Sequence, residues 1–67
     1  MEIGKQIRSR RLARRMTQVK LAELVGCNNR QVWRYEMNRS VPSVSVLMRI
    51  ATALGCTLDA LVADATE

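Results

Sequence analysis

Two helix starts and one helix stop lie close together in this sequence. Thr17 is a residue type that caps helix N-termini, and Gly26 ends the apolar helical pattern that follows it. Asn28 is again a good N-cap, with Gln31 at the capping-box position three residues later. The spacing predicts two short helices, the first ending before Gly26 and the second near Glu36. Helices of about two turns are marginal alone, so they must be stabilised by packing.

Helical periodicity predicts three further helices around this pair. The first covers roughly residues 2–14, with Ile3 and Ile7 on its buried face. A fourth runs from 43 to about 54 and stops at Gly55, and Thr57 caps a short fifth. The apolar positions of the last two helices are Val44, Leu47, Ile50, Ala51, Leu54, Leu58, Leu61 and Val62. No stretch alternates as a strand does, so we expect an all-α fold of five helices.

The size and composition of the chain restrict its chemistry. It has 67 residues, 48% of them hydrophobic, which is enough for the core of one small domain spanning residues 1–67. At this size a chain buries about 60% of its unfolded surface, so a deep enzyme cleft is not expected. There is no His, no GxSxG motif and no Gly-rich phosphate loop, and the enzyme hypothesis is set aside.

The two cysteines do not indicate a metal or redox site. Cys27 and Cys56 lack CxxC spacing and have no histidine nearby. We therefore expect both to be small buried hydrophobic residues, and we expect neither a metal nor a cofactor.

No apolar run approaches the roughly 18 residues that a membrane span needs, because Arg49 interrupts the best candidate. No secretory signal follows the N-terminus either. These features predict a cytoplasmic protein without a membrane partner.

The basic residues are concentrated in the first part of the chain. Residues 1–39 contain ten Lys and Arg against three Glu, a balance of +7, whereas residues 40–67 carry −2. A polyanion is therefore expected to meet the first part. A solvated basic surface that serves only solubility is the alternative, and charge alone does not separate the two.

The second helix of the pair has two chemically different sides. At about 100° per residue, Val32 and Tyr35 fall on one arc, which we predict to be the core face. The opposite side presents an amide, an indole and two guanidinium groups, which belong to Asn29, Arg30, Trp33 and Arg34. A helix-turn-helix requires two short helices joined by a Gly-containing turn, and its second helix has such an exposed side.

Several positions at fixed spacing resemble the Cro/cI-type helix-turn-helix domain. They are Thr17-Gln18, Leu21-Ala22, Val25-Gly26-Cys27-Asn28, Val32, Glu36, Pro42 and Leu54-Gly55. The resemblance covers residues 3–61, and its helix-turn-helix spans about 17–36. It implies a compact lambda-repressor-like domain that binds double-stranded DNA.

In this family the second helix of the motif enters the major groove. The resemblance therefore implies that Asn29, Arg30, Trp33 and Arg34 face base edges. Arg can bind guanine bidentately, Asn can bind adenine, and an indole can pack on a thymine methyl. Trp33 stands where the family usually has a small polar residue, so its ring either occupies groove space or folds back against the protein.

The implied phosphate contacts lie on both sides of this recognition helix. Thr17 and Gln18 stand at a helix N-terminus, whose free N–H groups favour an anion. Arg14 and Arg15, just before them, are predicted as further phosphate contacts because of their charge. The second group resembles the family's other phosphate-binding loop and comprises Asn38, Arg39, Ser40 and Ser43.

Two further features concern the frame of the domain. Arg11 and Glu36 match a pair that bridges the first and third helices in such domains, and we expect it to be structural. Leu24 replaces a residue that is usually polar on the outer side of the second helix. It is either a lone apolar surface residue or part of a contact with another protein.

The resemblance implies a sequence-specific regulator of transcription in the nucleoid of a bacterial or phage-infected cell, with a repressor favoured over an activator. One recognition helix contacts few base pairs, so we expect a homodimer on a pseudo-palindromic operator. The family points to a dimer surface around Val46, Arg49, Leu58 and Ala60. The alternatives are an antitoxin-like subunit that mainly binds a partner protein, or a DNA-binding fragment of a larger repressor. A toxin or polymerase would then be a further partner.

Overall fold

Five helices make up the fold in a computed structural model that describes residues 3–63. They are α1 (Ile3–Ala13), α2 (Gln18–Val25), α3 (Asn29–Glu36), α4 (Val44–Leu54) and α5 (Leu58–Ala63). No strand occurs within this range, so the predicted all-α, five-helix architecture is confirmed. The first helix ends one residue earlier than predicted, and its expected start at Glu2 lies outside the residues described.

Four of the helices begin at a side-chain cap, and three of these caps, Thr17, Asn28 and Thr57, are the predicted ones. Ser43, predicted as the first residue of the fourth helix, is instead its N-cap. Thr17 Oγ1 accepts a hydrogen bond from Lys20 N at 3.0 Å, and Asn28 Oδ1 accepts one from Gln31 N at 2.8 Å. Ser43 and Thr57 make the equivalent bonds at the starts of α4 and α5. Each bond satisfies one backbone donor that the helix itself leaves free, which explains why the helices begin where the sequence indicates.

Four helices end with one residue in the left-handed backbone region. The next residue then donates its N–H to the carbonyl five positions earlier, which is a Schellman motif. The left-handed residues are Arg15 (φ 56), Gly26 (φ 89), Asn38 (φ 57) and Gly55 (φ 69). The closing bonds run from Met16 to Arg11, Cys27 to Ala22, Arg39 to Arg34 and Cys56 to Ala51, at 3.1, 3.0, 2.8 and 3.0 Å.

The core is formed by apolar side chains from all five helices. Its members are Ile3, Ile7, Leu21, Ala22, Val25, Val32, Tyr35, Leu47, Ile50, Ala51, Leu54 and Leu61. Val32 and Tyr35 face inward, as the helical periodicity of α3 predicted. α1 and α2 both pack on α3, and α4 packs on α2, so α3 is supported from behind.

Three expectations about burial need correction. Val44 is 65% exposed because it is the first residue of α4 and lies beyond the edge of the core. Cys27 and Cys56 follow the helix-ending glycines and pack only partly against the core, so they are half-buried rather than buried. This partial burial raises the pKa of the Cys27 thiol above its ordinary value by desolvation.

Arg10 lies at the edge of the core and is half-buried. Its Nη2 donates to the carbonyl oxygen of Ala60 at 3.4 Å, which connects α1 to α5. Leu12, an apolar residue two positions further along α1, is exposed although Arg10 is half-buried. The long arginine side chain therefore covers apolar surface with its stem while its charged end meets a backbone acceptor.

Between residues 3 and 63, no helix has the length and apolar character needed to cross a membrane.

Candidate nucleic-acid interface

The exposed side of α3 carries all four predicted base contacts. Asn29, Arg30, Trp33 and Arg34 are exposed, while the other side of the helix buries Val32, Tyr35 and Glu36. The short turn after Gly26 connects this helix to α2, and Asn28 fixes its start. The structure thus places amide, indole and guanidinium groups on one side of a helix whose back is packed.

The N-terminus of α2 presents the first pair of predicted phosphate contacts. Thr17 is exposed, and its hydroxyl oxygen caps the helix. Gln18 is half-buried, and its Nε2 donates to Glu36 Oε1 at 3.1 Å. A carboxylate only accepts hydrogen bonds, so this contact fixes which end of the Gln18 amide points inward. No local sequence pattern indicates this contact, because the two residues lie on different helices.

Glu36 is the central hydrogen-bond acceptor behind α3. Its two carboxylate oxygens accept from Arg11, with Nε–Oε2 at 2.6 Å and Nη2–Oε1 at 3.1 Å. The side chains of Arg11 and Glu36 are only 9% and 1% exposed. Arg11 Nη1 also donates to the carbonyl oxygen of Met16 at 2.7 Å. The pair predicted from the sequence therefore joins α1, the segment before α2, and the last residue of α3.

The loop after α3 carries the second predicted group of phosphate contacts. Arg39 and Ser43 are exposed, and Ser40 is half-buried. Asn38 is also exposed, but its Oδ1 accepts from the backbone N–H of Gly4 at 3.0 Å. That oxygen is therefore engaged within the protein, where it caps the start of α1.

Gly4 allows α1 to approach this loop closely. A Cβ atom at position 4 would lie 2.6 Å from the carbonyl oxygen of Glu36 and 2.8 Å from Asn38 Oδ1, and it would also overlap the carbonyl oxygen of Tyr35. Such distances are not tolerated between real atoms, so α1 can pack here only without a side chain. Nothing in the sequence around Gly4 indicated this requirement.

Arg14 and Arg15 have different surroundings, although both were predicted as phosphate contacts. Arg14 Nη1 donates to the carbonyl oxygen of Leu54 at 3.3 Å, at the C-terminal end of α4. A cation there is favoured by the free carbonyl groups and the negative end of the helix dipole. Arg15 is exposed and adopts the left-handed conformation that ends the first helix. The structural contact of Arg14 was missed because no local pattern reveals it.

Trp33 is turned outward rather than folded into the core. The side chain is 41% exposed, and Arg39 Cζ lies 5.7 Å from the centroid of its ring. That distance is within the range of a cation–π interaction. Of the two orientations considered for Trp33, the structure shows the one in which the indole remains at the surface of α3.

An open apolar pocket of about 480 Å³ lies between α2 and α4. Its lining residues are Leu24, Met48, Arg49, Thr52 and Ala53. Leu24 and Met48 are 50% and 55% exposed, so Leu24 is not isolated on the surface. Of the four residues predicted for a dimer surface, Arg49 is exposed, whereas Val46, Leu58 and Ala60 are half-buried.

Sequence comparisons agree with this geometry. A family model described as Helix-turn-helix matches residues 7–61. The immunity repressor protein of Bacillus phage phi105 is 36% identical over 66 residues, which are 98% of this chain and 46% of that protein. The chain therefore spans less than half the length of this relative.

Solved structures with the same fold include regulators from phage and bacteria. The P22 c2 repressor, in complex with synthetic operator 9T, superposes with a TM-score of 0.86 at 30% identity, covering 91% of this chain and 92% of that one. The clp gene regulator ClgR from Corynebacterium glutamicum gives 0.93 at 25% identity, covering 97% and 69%. The SinR protein/SinI protein complex gives 0.84 at 24% identity, covering 90% and 59%, and shows likeness of fold alone. The chain belongs to the Cro/cI-type helix-turn-helix family of DNA-binding regulators.

Proposed function

We propose that this protein is a sequence-specific DNA-binding transcriptional regulator, and that it represses by occupying an operator. The observation that carries the proposal is the exposed side of α3, where Asn29, Arg30, Trp33 and Arg34 stand together on a helix with a packed back. These groups match the hydrogen-bonding and apolar features that base pairs present in the major groove. The likeness to a phage immunity repressor and to an operator-bound repressor supports the same function.

Phosphate contacts around α3 would orient the helix in the groove. Thr17 and Gln18 lie before it, and Arg39 and Ser43 lie after it. Contacts of this kind fix register and supply affinity without selecting a sequence. DNA of a bacterial or phage-infected cell is the proposed partner, which implies that the protein acts in the nucleoid.

We further propose that two copies bind one pseudo-palindromic operator. A single recognition helix contacts only a few base pairs, whereas two related by a twofold axis contact half-sites about 34 Å apart. The proposed dimer surface includes Val46, Arg49, Leu58 and Ala60, in the part of the chain where the positive charge is lowest. Occupancy over a promoter would then exclude polymerase.

Selection of bound duplexes from random DNA, with the full chain, tests this function. A palindromic consensus with half-sites one helical turn apart is the expected result. If each subunit neutralises about four phosphates, the log–log salt slope of a dimer should be roughly −7. Recovery of unrelated sequences would contradict sequence-specific binding. A salt slope near zero would contradict phosphate binding.

The pocket between α2 and α4 favours a second candidate function, an antitoxin-like subunit. Arg49 is the one charged residue in its lining, and the other four residues are Leu24, Met48, Thr52 and Ala53. This chemistry fits a partner-protein segment that offers an apolar side chain beside a carboxylate. A toxin or polymerase subunit would supply such a segment.

Peptide binding tests the protein-partner role by itself. Arg49→Glu should abolish binding of an apolar peptide that carries a carboxylate, while Lys20→Glu on the outer side of α2 serves as a matched charge reversal. Equal peptide affinity in the wild type and both variants would exclude the protein-partner role. It would leave the DNA-binding proposal unaffected.

A further inference from the structure

Trp33 and Arg39 are in contact although they lie six positions apart in the chain. In a continuous α-helix, six residues turn the backbone by about 600° and advance it by about 9 Å. The two side chains would then lie on different sides of the helix. Their observed separation of 5.7 Å between Arg39 Cζ and the indole centroid therefore requires the chain to leave the helix between them.

The departure from the helix is fixed by Asn38. This residue has φ 57, and Arg39 N then donates to the carbonyl oxygen of Arg34 at 2.8 Å. Asn38 Oδ1 also accepts from Gly4 N at 3.0 Å, which ties the turn to α1. The backbone of Arg39 is therefore held in place before any DNA is bound.

The contact leaves part of the indole and the N–H edge of the guanidinium accessible to a DNA duplex. Trp33 is 41% exposed, and it lies on the same side of α3 as Arg30 and Arg34. A guanidinium is planar, so it can stack on a ring while its N–H edge donates to a phosphate. A lysine ammonium carries the same charge but cannot stack in this way.

We propose that Arg39 is a positioning residue that determines operator specificity through Trp33. The guanidinium over the ring holds the indole in the orientation in which its exposed edge meets a thymine methyl group in the major groove. The N–H edge of the same guanidinium binds the adjacent phosphate. The inference rests on the proposed function, because it requires a sequence-specific complex. A simple phosphate contact would instead weaken binding to every duplex equally.

Arg39→Lys keeps the positive charge but removes the planar group that can stack. Replacing a single operator thymine by uracil removes one methyl group from the DNA. Burial of one methyl group corresponds to about a fourfold change in affinity. One uracil substitution should therefore weaken wild-type binding by about fourfold and Arg39→Lys binding by less than about twofold. Arg8→Lys is the matched control, since Arg8 is exposed on α1 and carries no assigned DNA contact, and it should retain the wild-type response.

Affinity of Arg39→Lys for random duplex should remain within about twofold of the wild type, because the charge is kept. The inference is overturned if this variant keeps the full response to uracil, or if it loses affinity equally for the operator and for random DNA. It is also overturned if no uracil substitution affects a wild-type protein that still prefers its operator.

The free protein provides a second measurement, because Trp33 is its single tryptophan. Arg39→Lys should reduce the indole signal in near-UV circular dichroism while the far-UV spectrum is unchanged. An unchanged near-UV signal would contradict the stacking that the inference needs. If the wild-type protein binds all duplexes equally, the proposed function is overturned as well. If the wild type prefers its operator and Arg39→Lys behaves like the wild type, only this inference is overturned.

Discussion

Arg11 and Glu36 meet edge to edge across the interface between α1 and α3, with their closest atoms, Nε and Oε2, 2.6 Å apart. The second oxygen of the carboxylate is shared between Arg11 Nη2 and Gln18 Nε2. The acceptor at the end of the recognition helix is thereby connected to the residue that begins α2. These hydrogen bonds connect α1, α2 and α3 behind the exposed side of α3.

Loss of the arginine alone should be costly. In Arg11→Met the Glu36 carboxylate would stay buried without its cation, and the free energy of unfolding should fall by about 3 to 5 kcal/mol. Urea denaturation measures the change. The double variant Arg11→Met/Glu36→Leu should recover much of that loss, since neither charge is then buried. A single variant as stable as the wild type would show that the pair does not support the fold.

Gly4→Ala should reverse the usual effect of this substitution in a helix. Alanine normally stabilises a helix by about 0.5 to 1 kcal/mol relative to glycine. Here the added Cβ meets backbone oxygens of α3, so we expect a net loss of about 2 to 3 kcal/mol. Thermal unfolding tests this, with exposed Ser9→Ala in the same helix as control, where the change should stay within about 0.5 kcal/mol. A stabilised Gly4→Ala protein would refute the close approach.

Arg15→Gly should stabilise the protein. Arg15 has φ 56, and a left-handed backbone costs a residue with a side chain about 1 kcal/mol relative to glycine. Arg15→Ala is the matched control, since it removes the same charge without relieving the backbone. Denaturant unfolding in the absence of DNA should show Arg15→Gly to be more stable than Arg15→Ala by about 1 kcal/mol. Equal stabilities would mean that the strain is absent.

Base contacts and phosphate contacts should respond differently to alanine. Arg30→Ala and Arg34→Ala should each reduce discrimination at a defined base pair by about 1 to 3 kcal/mol. Gln18→Ala should weaken binding to all duplexes and leave the preferred site unchanged. Titrations against the operator, single-base variants and random DNA make the comparison. Equal losses on operator and random DNA would reassign the two arginines to phosphate, and an altered site for Gln18→Ala would make it a specificity residue.

Much of the fold could be predicted because its signals are local. The caps Thr17, Asn28 and Thr57 and the stops Gly26 and Gly55 act within one turn of their own position, so residue type and spacing are sufficient. Arg15 shows the limit of this approach. Arginine has no preference for the left-handed region, and only the finished structure explains its conformation.

The exposed residues of the candidate site could be predicted from the sequence, but the contacts among its side chains could not. Helical periodicity separates Asn29, Arg30, Trp33 and Arg34 from the core without knowledge of the other helices. The contacts from Gln18 to Glu36 and from Arg14 to Leu54 join residues far apart in sequence. They arise from the packing of whole helices, which a single sequence does not specify. Trp33 and Arg39 are close in sequence, but their contact depends on the turn at Asn38.

The separation of the two sides of α3 has an evolutionary consequence. Val32, Tyr35 and Glu36 maintain the frame from within, so most residues on the outer side can mutate at little cost, typically within about 0.5 kcal/mol of folding stability. If the proposed function is correct, single substitutions at Asn29, Arg30 or Arg34 would change the operator while the domain stays folded. Trp33 is the exception, because replacing the indole removes the ring that Arg39 contacts. These two positions should coevolve.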